Sequence, residues 1–126
     1  MDPNIWGPHA WIFLHSITYN YPEEPSSSQQ KSAIHFFKSL KYLLPCSICK
    51  DNYADHLIQN PIENNVQSRK KIVKWLIDIH NDVNNILGKP FVSSKSIENN
   101  PLIKTCEFNI YNILFLLLLL LLLRFL

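Results

Sequence analysis

Proline placement constrains this chain more than any other feature. A proline opens a helix well at its first position but cannot sit in its interior without losing a hydrogen bond. Pro8, Pro22, Pro45, Pro61 and Pro90 therefore act as breaks. Between them apolar residues recur at three- and four-residue spacing, glycine is scarce at two residues, and strand-type alternation is hard to find. The predicted fold is all-α, with one domain and one core in 126 residues. Helices are expected from Pro8 to Tyr21, from the Ser26–Ser28 caps to about Leu44, from Cys46 to about Gln59 and from about Arg69 to Leu87. Gly88 stands where a C-terminal cap belongs and Pro90 forbids continuation. A short fifth helix is expected from Ser93 or Ser94.

The faces of these helices differ in kind. The second, with Ala33, Phe36, Phe37, Leu40, Leu43 and Leu44, reads as purely structural. The fourth buries Ile72, Trp75, Leu76, Ile79, Val83 and Ile86 or Leu87. On the first, Trp11, Leu14, His15 and Thr18 share one side, which reads most simply as a core stripe with a satisfied histidine. His80 and Asn84, four apart beside Val83 and Leu87, depart from a plain core: buried polar groups need partners, and a bound polar ligand is one way to supply them.

Twelve basic and ten acidic side chains leave a net charge of +2, too balanced for a nucleic-acid surface. Three cysteines are too few for a disulfide scaffold, and Cys106 has no evident partner. No basic region followed by an apolar stretch marks a secretory signal near Met1. The opposite end is apolar from Ile113 to Leu123. From Ile110 to Leu126 it makes a seventeen-residue stretch interrupted near its start by Tyr111 and Asn112 and near its end by Arg124, marginal against the ~20 residues of a membrane-spanning helix. The chain is divided accordingly into a helical domain at 1–108 and a hydrophobic tail at 109–126, the tail expected to form a helix and a candidate membrane anchor.

Near the middle lies Pro45-Cys46-Ser47-Ile48-Cys49. Two thiols at this spacing can cycle between dithiol and disulfide, and a cysteine opening a helix sits beside free amide donors that favour thiolate. A thioredoxin-like fold would need βαβ units, which are not found. A c-type haem would need His where Lys50 stands. Zinc would need two further ligands; His56 and His80 are available, without a second C-x-x-C. A flavin-linked dithiol remains, and it explains the Trp/His and His/Asn faces, because flavin and adenine rings need flat apolar walls with a few placed hydrogen-bonding groups.

Trp6-Gly7-Pro8-His9-Ala10-Trp11, Leu14-His15, Tyr21-Pro22, Cys46-x-x-Cys49 and His80-Asn81-x-Val83-Asn84-x-x-Leu87-Gly88-Lys89-Pro90 follow one another in an order that resembles the Erv/ALR-type FAD-linked sulfhydryl oxidases, over residues 5–92. The resemblance implies a four-helix bundle plus a short fifth helix, with non-covalent FAD beside the C-x-x-C. It also implies a reaction in which thiols are joined to disulfides while O₂ becomes H₂O₂. By position it implies that Cys49 is the flavin-proximal thiol and Cys46 the outer thiol exchanging with substrate. Trp11 and His15 would pack and hydrogen-bond the cofactor, and Gly7 would allow close approach. His80, Asn81, Val83, Asn84, Leu87 and Lys89 would hold its adenine, ribose and phosphates, Lys89 supplying positive charge. No metal is implied. A homodimer is, and so is a substrate thiol protein such as a thioredoxin-like or other C-x-x-C carrier, because no separate shuttle cysteine pair is present. The compact form is similar to members from large cytoplasmic DNA viruses, which would place the protein in host cytoplasm or a virion. Two departures stand out. Pro8 replaces a frequent Arg, and Ile77 and Ser94 occupy the positions of a structural disulfide. The rival class is a non-enzymatic, tail-anchored helical interaction protein with a structural C-x-x-C.

Overall fold

The computed structural model describes residues 1–103. Cys106 and the apolar run of the tail, with the expected tail helix, lie outside the described residues. Five α-helices follow in order: α1 (Pro3–Tyr19), α2 (Ser27–Leu43), α3 (Ser47–Gln59), α4 (Arg69–Ile86) and α5 (Ser94–Glu98), with a single 3₁₀ turn at Ile62–Asn64. No strand occurs among the described residues. None of the described helices is long and apolar enough to cross a membrane.

Local chemistry explains the boundaries. Ser26 caps α2 through a reciprocal box with Gln29, and Ser68 caps α4 by accepting from the Lys71 N–H. Helix α1 starts five residues earlier than the proline pattern suggests. Asp2 accepts from the Asn4 N–H at 2.8 Å and Pro3 takes the first helical positions, so a better start than Pro8 exists upstream. Pro8 then lies inside the helix, where it removes one backbone donor. At the far end of α4, Gly88 has φ +64, the Lys89 N–H donates to Asn84 O at 2.8 Å and the Gly88 N–H to Asn85 O at 3.2 Å. This is a Schellman cap, and the positive φ favours glycine.

Helix α1 packs on α4, and α2 packs on α3. The two pairs meet over Phe37 and Trp75, fully buried and edge-to-face with centroids 5.0 Å apart. Trp75 also donates its indole N–H to Asn60 O at 2.8 Å, fixing the end of α3 against α4. Leu14, Tyr21, Ala33, Tyr53, Ile62, Val66, Ile72, Leu76 and Ile79 complete this core. The expected faces of α2 and α4 hold except at their ends: Leu43 is exposed, and so are both Ile86 and Leu87. All three lie in the last turn or at the cap of their helices, where periodicity alone cannot report which positions another element covers.

Candidate active site

Pro45 separates α2 from α3 by holding Leu44 extended, at ψ 136, as a residue before proline prefers. Cys46 is consequently the N-cap of α3 (φ −142, ψ 126), and its sulfur accepts from the Cys49 N–H at 3.2 Å. Cys46 and Cys49 form a disulfide with Cα atoms 5.1 Å apart, both half-buried. When the bond opens, the amide donors and positive end of α3 favour a thiolate there. The Met1 ammonium donates to Pro45 O at 3.4 Å, so the amino end of α1 lies against this turn.

A second constellation lies where α1 meets α4. The Trp11 ring stacks on His80 with centroids 3.9 Å apart and planes 7° from parallel. His15, 1% exposed, has Nε2 3.0 Å from His80 Nδ1. One proton serves both nitrogens, which suits two neutral imidazoles. Burial pushes the His15 pKa down to about 4, with repulsion from His80 adding to it. Burial likewise pushes His80 down to about 4, helped by the positive charge of Lys89. His15 Nδ1 is buried with no hydrogen-bond partner, and so is the Trp6 indole N–H. The satisfied core histidine is therefore only half right, since one ring nitrogen is paired and the other is not.

The remaining sequence-selected residues divide between this face and the segment after α4. Asn81 donates to Val92 O at 3.0 Å and accepts from the Val92 N–H at 2.8 Å, while Asn84 donates to Pro90 O at 3.0 Å. Their amides thus hold the 88–92 segment against α4. The Tyr19 hydroxyl donates to Ser94 O at 3.1 Å, and Ile97 is buried. These contacts secure α5 against the rest of the helical domain. Val83 is half-buried; Leu87 and Lys89 are exposed. A Cβ at Gly7 would meet no atom within 4 Å, so packing within the chain does not demand glycine there.

Two buried groups escaped the sequence reading. Trp6 was read only as part of a string. His56, considered only as a metal ligand, is 9% exposed, its Nδ1 3.4 Å from Asp82 Oδ2 and its Nε2 without a partner. Its signal was the spacing Cys49, Tyr53, His56, which is one face of a helix. Among the described residues no three His, Cys, Asp or Glu side chains converge as metal ligands.

Comparison with known proteins yields matches across this helical region. The chain is 43% identical over 94 residues to a protein of Acanthamoeba polyphaga mimivirus named a probable FAD-linked sulfhydryl oxidase, covering 74% of this chain and 66% of that one. It is 29% identical over 106 residues to the FAD-linked sulfhydryl oxidase of African swine fever virus, covering 82% and 87%. The crystal structure of the FAD-binding domain of Erv1 from Saccharomyces cerevisiae superposes with a TM-score of 0.72 at 28% identity, covering 78% of this chain and 91% of that one. The chain thus spans just under two thirds of the mimivirus relative. The model of the Erv1/Alr family matches residues 8–101, past the 5–92 that the motifs delimit and through the whole of α5, and the chain belongs to that family.

Proposed function

We propose that this chain is a FAD-dependent thiol oxidase that forms disulfide bonds in partner proteins. The observation that carries the reading is the disulfide at the head of α3, in a chain whose relatives are named FAD-linked sulfhydryl oxidases. The residues present fit the cofactor. Trp11 and His80 supply a flat aromatic wall, His15 Nδ1 and Trp6 Nε1 are buried and unpartnered, and Lys89 brings positive charge to the same region. When bound, FAD supplies the two-electron sink from which O₂ is reduced to H₂O₂.

The chain's own part is thiol exchange and positioning. A substrate thiolate attacks Cys46 Sγ, and Cys49 leaves as a thiolate at the positive end of α3. A second substrate thiolate releases the oxidised substrate and leaves Cys46 and Cys49 reduced. Trp11, His15, His80 and Lys89 would hold the cofactor directly. Gly7, Val83 and Leu87 line its approach, and Asn81 and Asn84 keep the 88–92 segment, with Lys89 in it, in place.

The finer reading has three parts. The substrate is a protein dithiol, such as a C-x-x-C carrier, supported by the lack of a second C-x-x-C in the chain. The working unit is a homodimer. Residues 1–108 are the catalytic domain and 109–126 a membrane anchor, supported by the apolar run of that segment. Resistance of the tagged protein to alkaline carbonate extraction checks the anchor, and sedimentation checks the dimer. For the activity, the purified chain is expected to be yellow and to consume O₂ with dithiothreitol. A colourless, folded protein that consumes none overturns it in favour of a non-enzymatic helical adaptor.

A further inference from the structure

Large apolar side chains stand exposed in the stretch of chain that carries the disulfide. Tyr42 and Leu43, at the end of α2, are 68% and 70% exposed, and Ile48, between the two cysteines, is 69% exposed. Pro45 is exposed as well. Single exposed apolar residues are ordinary, but a run of them within Tyr42–Cys49 that encloses a reactive bond is not. Leu43 sharpens this. Helical spacing assigns it to the inner stripe of α2, yet α2 stops there and Leu44 is the residue that packs on the core. Tyr42 is steadied by Lys41, whose ammonium lies 4.8 Å from the ring centroid.

We infer that this apolar collar is the docking surface for an extended cysteine-bearing segment of a client protein with apolar residues flanking the cysteine. The inference rests on the thiol-oxidase reading and adds the class of client. The collar is continuous with the one bond a client sulfur must reach. Tyr42 and Leu43 lie three to four residues before Cys46, and a client polypeptide carries side chains on both sides of its cysteine where a small dithiol carries none, so a polypeptide is the occupant that uses them. In the exchange, the client thiolate bonds to Cys46 Sγ while the Cys46–Cys49 bond breaks, its electron pair leaving on Cys49. A second client thiolate then forms the client disulfide and expels Cys46 as thiolate. The client loses two electrons and the C-x-x-C gains them.

The test leaves Cys46 as the only thiol, through Cys49→Ser and Cys106→Ser in the full chain, and needs no cofactor. Two peptides each carry one cysteine as a mixed disulfide with thionitrobenzoate, one flanked by Leu and Phe, the other by Ser and Gln. Cys46 thiolate attacks the peptide sulfur and thionitrobenzoate leaves, read by its absorbance. The apolar peptide is expected to react about tenfold faster, a difference of ~1.4 kcal/mol. Leu43→Glu with Ile48→Glu should shrink that preference to within about twofold at an unchanged melting temperature; serine at both positions serves if glutamate lowers it. Equal rates for the two peptides overturn the inference, as does a preference that survives the substitutions. A dimer that Leu43→Glu with Ile48→Glu dissolves would show the collar covered by a second copy, and also overturns it. Oxygen consumption by the unsubstituted chain reports separately on the thiol-oxidase reading.

Discussion

The two helix pairs of this protein treat polar chemistry in opposite ways. Between α1 and α4, His15 is withdrawn from water with one ring nitrogen unpaired, and the half-buried His80 stacks on Trp11 and shares a hydrogen bond with His15. At the junction of α2 and α3 the reactive sulfurs are only half-buried and apolar groups face outward. The first pair keeps buried hydrogen-bonding groups free for a bound molecule, and the second presents its sulfurs closer to solution. Phe37 against Trp75 joins the two pairs, and under the proposed function electrons would pass from the second pair to the first.

The comparison can be broken most severely at the sulfurs. Cys49→Ala should lower oxygen consumption with dithiothreitol by on the order of 10³-fold or more while flavin absorbance per protein stays unchanged; retained turnover would sink the assigned pair. Next comes the joint between the pairs. Trp75→Ala is expected to cost about 3–5 kcal/mol, read as a lower melting temperature with both pairs losing hydrogen-exchange protection together. Separate loss in α2 and α3 would mean that the pairs fold independently.

Acid should strike the α1/α4 pair selectively. His15 and His80 have native pKa values near 4, below the usual 6.5. The unfolded chain therefore binds more protons between those values, and stability falls as pH drops from about 6.5 to about 4. Burial is the larger cause of the His15 shift, and the neighbouring His80 adds to it. Denaturant midpoints at successive pH values, compared with His15→Gln, check this; an unaltered slope in the variant would remove His15 from the account. Asn81→Ala should cost about 1–2 kcal/mol and chiefly loosen 88–98, seen as faster amide exchange there. Smallest of all, Leu43→Ser should change stability by no more than about 0.5 kcal/mol, whereas Leu44→Ala, one residue on, should cost more.

Much of the fold was legible in the chain. The caps at Ser26 and Gly88 and the position of Cys46 at the head of α3 follow from local chemistry acting over three or four residues. The start of α1 was misplaced because two prolines compete for it, and only Asp2 decides in favour of Pro3. The burial of Leu43, Ile86 and Leu87 was misjudged for a different reason: their spacing fits the inner stripe, but spacing does not report which positions at a helix end another element covers. Trp11, His15 and His80 could be named from their faces, but not the stacking of His80 on Trp11 or the shared proton with His15, which join residues 65 and more positions apart.

What the sequence determined by itself is everything that acts locally: the all-helical character, the helix breaks, the caps, and two thiols one turn apart. The motif order that identifies the family is written there too. Tertiary structure decided which polar groups are paired. It engaged Asn81 and Asn84 with the chain after α4, gave His56 an acidic neighbour in Asp82, and left His15 Nδ1 and Trp6 Nε1 without partners. The physical reason is that burial and hydrogen-bond satisfaction belong to the space between helices, and that space exists only once the helices have packed.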